Sequence, residues 1–134
     1  MIAVIATLAI VSYAYSQKNV VVFADNTGSP NSSLPSYQKT PEGLKELVSS
    51  YNSKYGKILY ALANCESGFK DICIMDTNNK LSCGIFMFQR DTFYGHCSGS
   101  WLNPYDELKC ADKMIGEGRL HTDWVNCGKR IDTI

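Results

Sequence analysis

The sequence is short of several features that would each narrow its function at once. It has no net charge at pH 7, because 13 Lys and Arg balance 13 Asp and Glu. A chain without a basic excess has no electrostatic footprint for nucleic acid, and nothing in its charge draws it onto an anionic envelope. It has no apolar run of the roughly 20 residues that a spanning helix needs. It has no C-x-x-C pair, and neither His96 nor His121 falls in a metal-binding sequence spacing. Zinc is therefore a poor reading, and no metal or cofactor is expected. No internal repeat is visible, which sets aside a stacked array.

What is present begins at the amino terminus. "MIAVIATLAIVSYAYSQ" opens with an apolar stretch too short to span a bilayer but suited to the core of an export signal. Ala14-Tyr15-Ser16 offers a small-x-small cleavage pattern. Residues 1–16 are thus expected to be a signal peptide, with an uncleaved membrane anchor as the alternative. Residues 17–41 read as an extended segment and flexible linker. "KNVVVFA" is strand-like, and the stretch from Asp25 is rich in Ser, Pro, Asn and Gly. Asn31-Ser32-Ser33 matches the glycosylation sequon. All six cysteines follow this region: Cys65, Cys73, Cys83, Cys97, Cys110 and Cys127. An even number behind an export signal reads as disulfides, and the expected location is periplasm, cell surface or extracellular space.

Residues 42–134 form the expected folded domain. Thr40-Pro41 is a cap followed by proline at the first helical position, and Leu44, Leu47, Val48 and Tyr51 recur at helical spacing. Tyr55-Gly56 breaks that run. A second helix over about 57–66 carries Ile58, Leu59, Leu62 and Ala63 on one face and stops near Gly68. Between 71 and 89, Ile72, Ile74, Ile85, Phe86 and Phe88 favour strands around the turn "DTNNK", so a hairpin is expected. "NPYDELKCADKMIGEG" is a helix capped by Asn103 and opened by Pro104, with Leu108, Ala111, Met114 and Ile115 as its apolar stripe. "TDWVNC" suggests a short last helix that packs Trp124 inward.

The motif of chemical interest is "ALANCESGFK". It ends an apolar helix with one glutamate, Glu66. Burial beside Leu59, Leu62, Ala63 and Phe69 would disfavour the charged carboxylate. The partial negative charge of a helix carboxyl end acts in the same direction. A carboxylic acid still protonated near neutrality can protonate the leaving oxygen of a glycosidic bond.

Taken in order, "ILYALANCESGF", a hairpin, "SCGIFMFQRDTF", "NPYDELKCADKMI" and "DWVNC" resemble the lysozyme superfamily, in its soluble lytic transglycosylase-like branch. The resemblance covers roughly residues 42–130. It implies an α+β, mostly α, lysozyme-like fold with helices around a small β-hairpin, stapled by disulfides. It implies cleavage of the MurNAc–GlcNAc β-1,4 bond of peptidoglycan, with Glu66 as catalytic acid and base and Ser67 as its companion. The strand Gly84-Ile85-Phe86 would form one wall of a glycan cleft, where glycine lets a saccharide approach the backbone. Peptidoglycan glycan strands are the implied partner. A monomer is expected unless the chain serves in an envelope or virion assembly, with a membrane tether if the amino-terminal segment stays attached.

Two departures from the family pattern bear on mechanism. The pattern Gly-(Ile/Leu)-x-Gln would put glutamine at position 87, where this chain has Met87; Gln89 lies two residues on, on the same face if the segment is a strand. The place of the second carboxylate of animal-type lysozymes is taken by Ser82, and Asp76 reads as a turn residue. One obvious carboxyl favours the transglycosylase route over a protein nucleophile. The Met87 departure also fits the alternative of a weak or inactive glycan-binding or structural module. Tyr94 is a further candidate to line the cleft, and Trp101, in the loop "CSGSWLNP", reads either as a ring that stacks on sugar or as core filling. Of the pairings open to six cysteines, Cys73–Cys83 would face each other across the turn, and Cys97–Cys110 would join loop to helix. Cys65–Cys127 would clamp the glutamate-bearing helix to the chain end.

Overall fold

The computed structural model describes residues 36–131. The expected export segment, and the expected linker as far as residue 35, lie outside the described residues. Among the described residues, six helices and one small sheet make an α+β fold. Among the described residues no helix is long and apolar enough to cross a membrane.

Helix α1, Pro41–Ser50, starts where Thr40 accepts a bond from the Gly43 N–H at 3.1 Å, and it buries Leu44, Leu47 and Val48. Helix α2, Gly56–Glu66, buries Leu59, Leu62 and Ala63. It ends through bonds from the Ser67 and Gly68 amides to the Ala63 and Asn64 carbonyls, with Gly68 at φ +61° and Phe69 at +60°. Strands β1 (Cys73–Met75), β2 (Leu81–Cys83) and β3 (Phe88–Gln89) form an antiparallel sheet in that order. Helix α3 (Arg90–His96) follows directly. Helix α4, Pro104–Gly116, is capped by Asn103, whose Oδ1 accepts from the Tyr105 and Asp106 amides. Helices α5 (Leu120–Asp123) and α6 (Val125–Ile131) close the chain.

The core gathers Leu44, Leu59, Leu62, Ile85, Phe86, Phe93, Leu108 and Met114, all without exposure. Helix α4 packs on α1, α2 and α3, and α6 packs on α2. Three disulfides staple these parts: Cys65–Cys127 joins α2 to α6, Cys73–Cys83 crosses β1 and β2, and Cys97–Cys110 ties the end of α3 to α4. For a domain this small such bridges carry much of the stability, and they fit an oxidising compartment.

Four features differ from what the sequence suggests. The expected strand at Gly84-Ile85-Phe86 is a tight turn, with Gly84 at φ +80° and Met87 at +53°. Helix α3 has no counterpart among the expected elements, because its seven residues include Gly95 and bury only Phe93. The last expected helix is two, broken at Trp124, where ψ reaches 59°. The expected linker does not run loose to residue 41. Tyr37 packs against the core, and Lys39 pairs with Asp71 at 3.6 Å. Burial, with the Asp71 charge second, pushes the Tyr37 hydroxyl up to about 12.

Candidate active site

A cleft of about 620 Å³ opens between the sheet and the break from α5 to α6. Glu66 and Asp76 line it together with Ser82, Met87, Phe88, Gln89 and Thr92. The other wall is the run Thr122, Asp123, Trp124, Val125, Asn126 and Cys127. A recess of this size is in the ordinary range for a ligand site.

Glu66 is the last residue of α2, so its side chain leaves the helix at the rim of the core. It is half-buried. Burial raises its pKa above the usual carboxylate range, and the negative charge of Asp76 raises it further. The causes differ in part from the sequence argument. Leu59, Leu62 and Ala63 are buried in the core and do not line the cleft, and the second contribution comes from another carboxylate. Cys65, the residue before Glu66, is bonded to Cys127, which lines the cleft, so one disulfide ties the helix of Glu66 to the other wall.

Asp76 is a turn residue by its sequence context. It does close that turn, since its N–H donates to the Lys80 carbonyl at 2.9 Å. Its carboxylate nevertheless enters the cleft. Ser82 Oγ donates to it, and Gln89 Nε2 donates to Oδ2 at 2.8 Å. Asn78 Nδ2 in turn donates to Gln89 Oε1 at 3.3 Å. The pairing register carried the signal. Cys73 faces Cys83 and Ile74 faces Ser82, so the period of two sets Asp76 on the face of Ser82.

The expected site residues divide into three groups. Glu66, Ser82, Met87 and Gln89 meet in the cleft. Ser67, Gly84 and Phe86 do not line it and belong behind its wall. Ser67 Oγ donates to the Ile85 carbonyl at 2.9 Å, Gly84 lies against Glu107, and Phe86 is fully buried. Tyr94 is 47% exposed and lines a separate groove with His96, Lys109 and Lys113, because α3 turns it away from the cleft. Met87 reaches the cleft as the end of a turn, so the alternation argument linking residues 87 and 89 does not apply.

Trp124 has two roles. Only 5% exposed, it stacks edge-on against Phe88 with ring centroids 5.4 Å apart. Its Nε1 donates to the Phe86 carbonyl at 2.8 Å, yet part of the residue lines the cleft. Phe88, Thr92, Thr122, Asp123, Val125 and Asn126 also line the cleft; they fall inside the motifs quoted from the sequence, but nothing in those motifs assigns them to the site. Among the described residues there is no group of three or more side chains able to hold a metal ion.

Compared with known proteins, the chain matches no family model, no curated sequence and no solved structure.

Proposed function

We propose that this chain is an exported peptidoglycan-cleaving glycosidase that cuts the MurNAc–GlcNAc β-1,4 bond, built on a lysozyme-like fold and using Glu66 as general acid. The observation that carries the reading is the Glu66 carboxyl. It lies half-buried in a cleft of about 620 Å³, with burial and a facing carboxylate both favouring its protonated form. A carboxyl whose protonated form is favoured in this way is the group needed to protonate a glycosidic oxygen as its bond to the anomeric carbon breaks. The order of motifs from "CESGF" to "DWVNC" supports the same reading.

In the lytic transglycosylase route, Glu66 gives its proton to the leaving oxygen and the substrate's acetamido oxygen assists at the anomeric carbon. Glu66, now a carboxylate, takes the proton of the sugar's C6 hydroxyl. That oxygen bonds to the anomeric carbon as the acetamido oxygen leaves it, which closes an anhydro ring, and the proton taken from the hydroxyl restores the Glu66 acid.

Asp76 favours a second reading of the outcome. An oriented carboxylate in the same cleft as the acid can hold a water for attack on the opposite face of the sugar, which gives hydrolysis. Mass spectrometry of the released muropeptides separates the two, because anhydro ends are lighter by one water than hydrolysed ends. Release of neither product, with glycan still bound, would mark the chain as a binding module and overturn the enzymatic reading.

A further inference from the structure

Glycoside cleavage by Glu66 leaves one buried acid of the fold unused. Glu107 lies in α4, on the core side, with 0% exposure. Its Oε2 accepts the Ile85 N–H at 2.9 Å, and the Phe86 N–H also lies close enough to favour the carboxylate. Its Oε1 has no hydrogen-bond partner among the described residues. Burial nonetheless pushes its pKa well above the usual carboxylate range. The backbone above it has no spare room. A Cβ built on Gly84 would fall 1.8 Å from Oε1, and Gly84 also holds φ +80°.

The turn that Glu107 supports is the one that ends in the cleft at Met87. The same turn is gripped from two more directions. The Ile85 carbonyl accepts from Ser67 Oγ at 2.9 Å, and Ser67 follows Glu66. The Phe86 carbonyl accepts from Trp124 Nε1 at 2.8 Å, and Trp124 belongs to the opposite wall. The turn therefore links the acid's helix to the far wall, and among the described residues Glu107 is the side chain that bonds an amide of the turn, where Ser67 and Trp124 bond its carbonyls.

We propose that Glu107 is a positioning residue for the cleft: its buried carboxyl holds the Gly84–Met87 turn and thereby sets Met87 and the Ser67 end of the Glu66 helix. The inference rests on the glycosidase reading for its catalytic consequence and on the turn geometry alone for its structural one.

The test uses the full-length chain, with Glu107→Gln and Glu107→Met compared to the parent. Turnover is followed on purified peptidoglycan, and hydrogen exchange is followed at the Ile85 and Phe86 amides. Glutamine keeps a carbonyl for the Ile85 N–H, so Glu107→Gln is expected to hold turnover and exchange close to parental values. Methionine keeps the volume and removes the acceptor. Glu107→Met is expected to exchange faster at Ile85 than at neighbouring α4 amides and to lose about ten- to hundred-fold in kcat/KM while still folded. Parental exchange and turnover in folded Glu107→Met would overturn the proposal, as would equal losses in both variants. Should Glu107→Met fail to fold, slow exchange of the parental Ile85 amide with retained activity in Glu107→Gln supports the assignment. Exchange at the rate of an open amide overturns it. Should the parent cleave nothing, the glycosidase reading fails by itself, and the exchange results still decide whether Glu107 holds the turn.

Discussion

Replacing Cys65 and Cys127 together by alanine perturbs stability and the site at once, and the two effects can be worked out separately. The bridge closes a loop of 62 residues. Chain entropy puts its worth at about 4 kcal/mol at 25 °C. The two inner bridges shorten the free path to about 40 residues, and the logarithm changes the figure by only a few tenths of a kcal/mol. The other bridges close loops of 10 and 13 residues, which makes each worth about 3 kcal/mol on the same scale. A domain of this size has roughly 5–15 kcal/mol in total. Losing the long bridge should therefore lower the melting temperature by the order of 20 °C, more than losing either short one. The second effect is local. Cys65 precedes Glu66 and Cys127 lines the facing wall, so the bridge also limits where the acid can point. Thermal unfolding followed by circular dichroism gives the first quantity. Peptidoglycan turnover at a temperature where all variants remain folded gives the second. The Cys65→Ala/Cys127→Ala protein should lose turnover per folded molecule, whereas Cys97→Ala/Cys110→Ala should keep it, since that pair lies away from the cleft. Equal melting temperatures for the long-bridge and short-bridge variants would refute the entropy argument. Equal turnover per folded molecule would refute the clamp.

Three further outcomes follow from the cleft. Asp76→Asn removes the charge that helps hold the Glu66 proton, so the alkaline limb of activity should move to lower pH; a limb that stays in place would show that the two carboxyls do not interact. Glu66→Gln should unfold at no lower denaturant concentration than the parent at pH 7. A carboxyl whose pKa is raised by folding stabilises fully below its unfolded value, and that stability is lost as pH rises through its folded value, so a neutral amide avoids the loss; a clear destabilisation by denaturant titration would argue that the carboxyl is not desolvated. Met87→Gln should raise glycan affinity or activity, or leave both unchanged, because Met87 already lines the cleft and glutamine adds an amide there; a loss of activity at unaltered stability would show that the thioether itself is needed.

Local signals were readable where the chain needed no distant partner. Thr40-Pro41 and Asn103-Pro104 announce α1 and α4 because a cap and a proline act within one turn. The end of α2 at Glu66 follows from Gly68 in the same way. The turn at Gly84–Met87 was not readable, because "GIFMF" has the composition of a strand. What bends it is bonding from Glu107, Ser67 and Trp124, whose positions only the packed fold brings together. Glu107 itself looks like a solvent residue beside the stripe of α4, and its full burial depends on amides 22 positions earlier. Asp76 is the instructive case. Its turn role was legible and true, but it hid the alternation that carries the side chain to the Ser82 face of the hairpin.

On the proposed function, Glu66 transfers the proton that breaks a glycan bond. The direct measurement of this step is the release of soluble muropeptides from purified peptidoglycan by the parent and by Glu66→Gln, side by side at equal folded concentration. The expected result is steady release by the parent and a fall of at least about a hundredfold for the glutamine variant, since glutamine keeps the shape and cannot give up a proton. Release by Glu66→Gln at more than about a tenth of the parental rate would contradict the claim, because general acid catalysis is worth more than that.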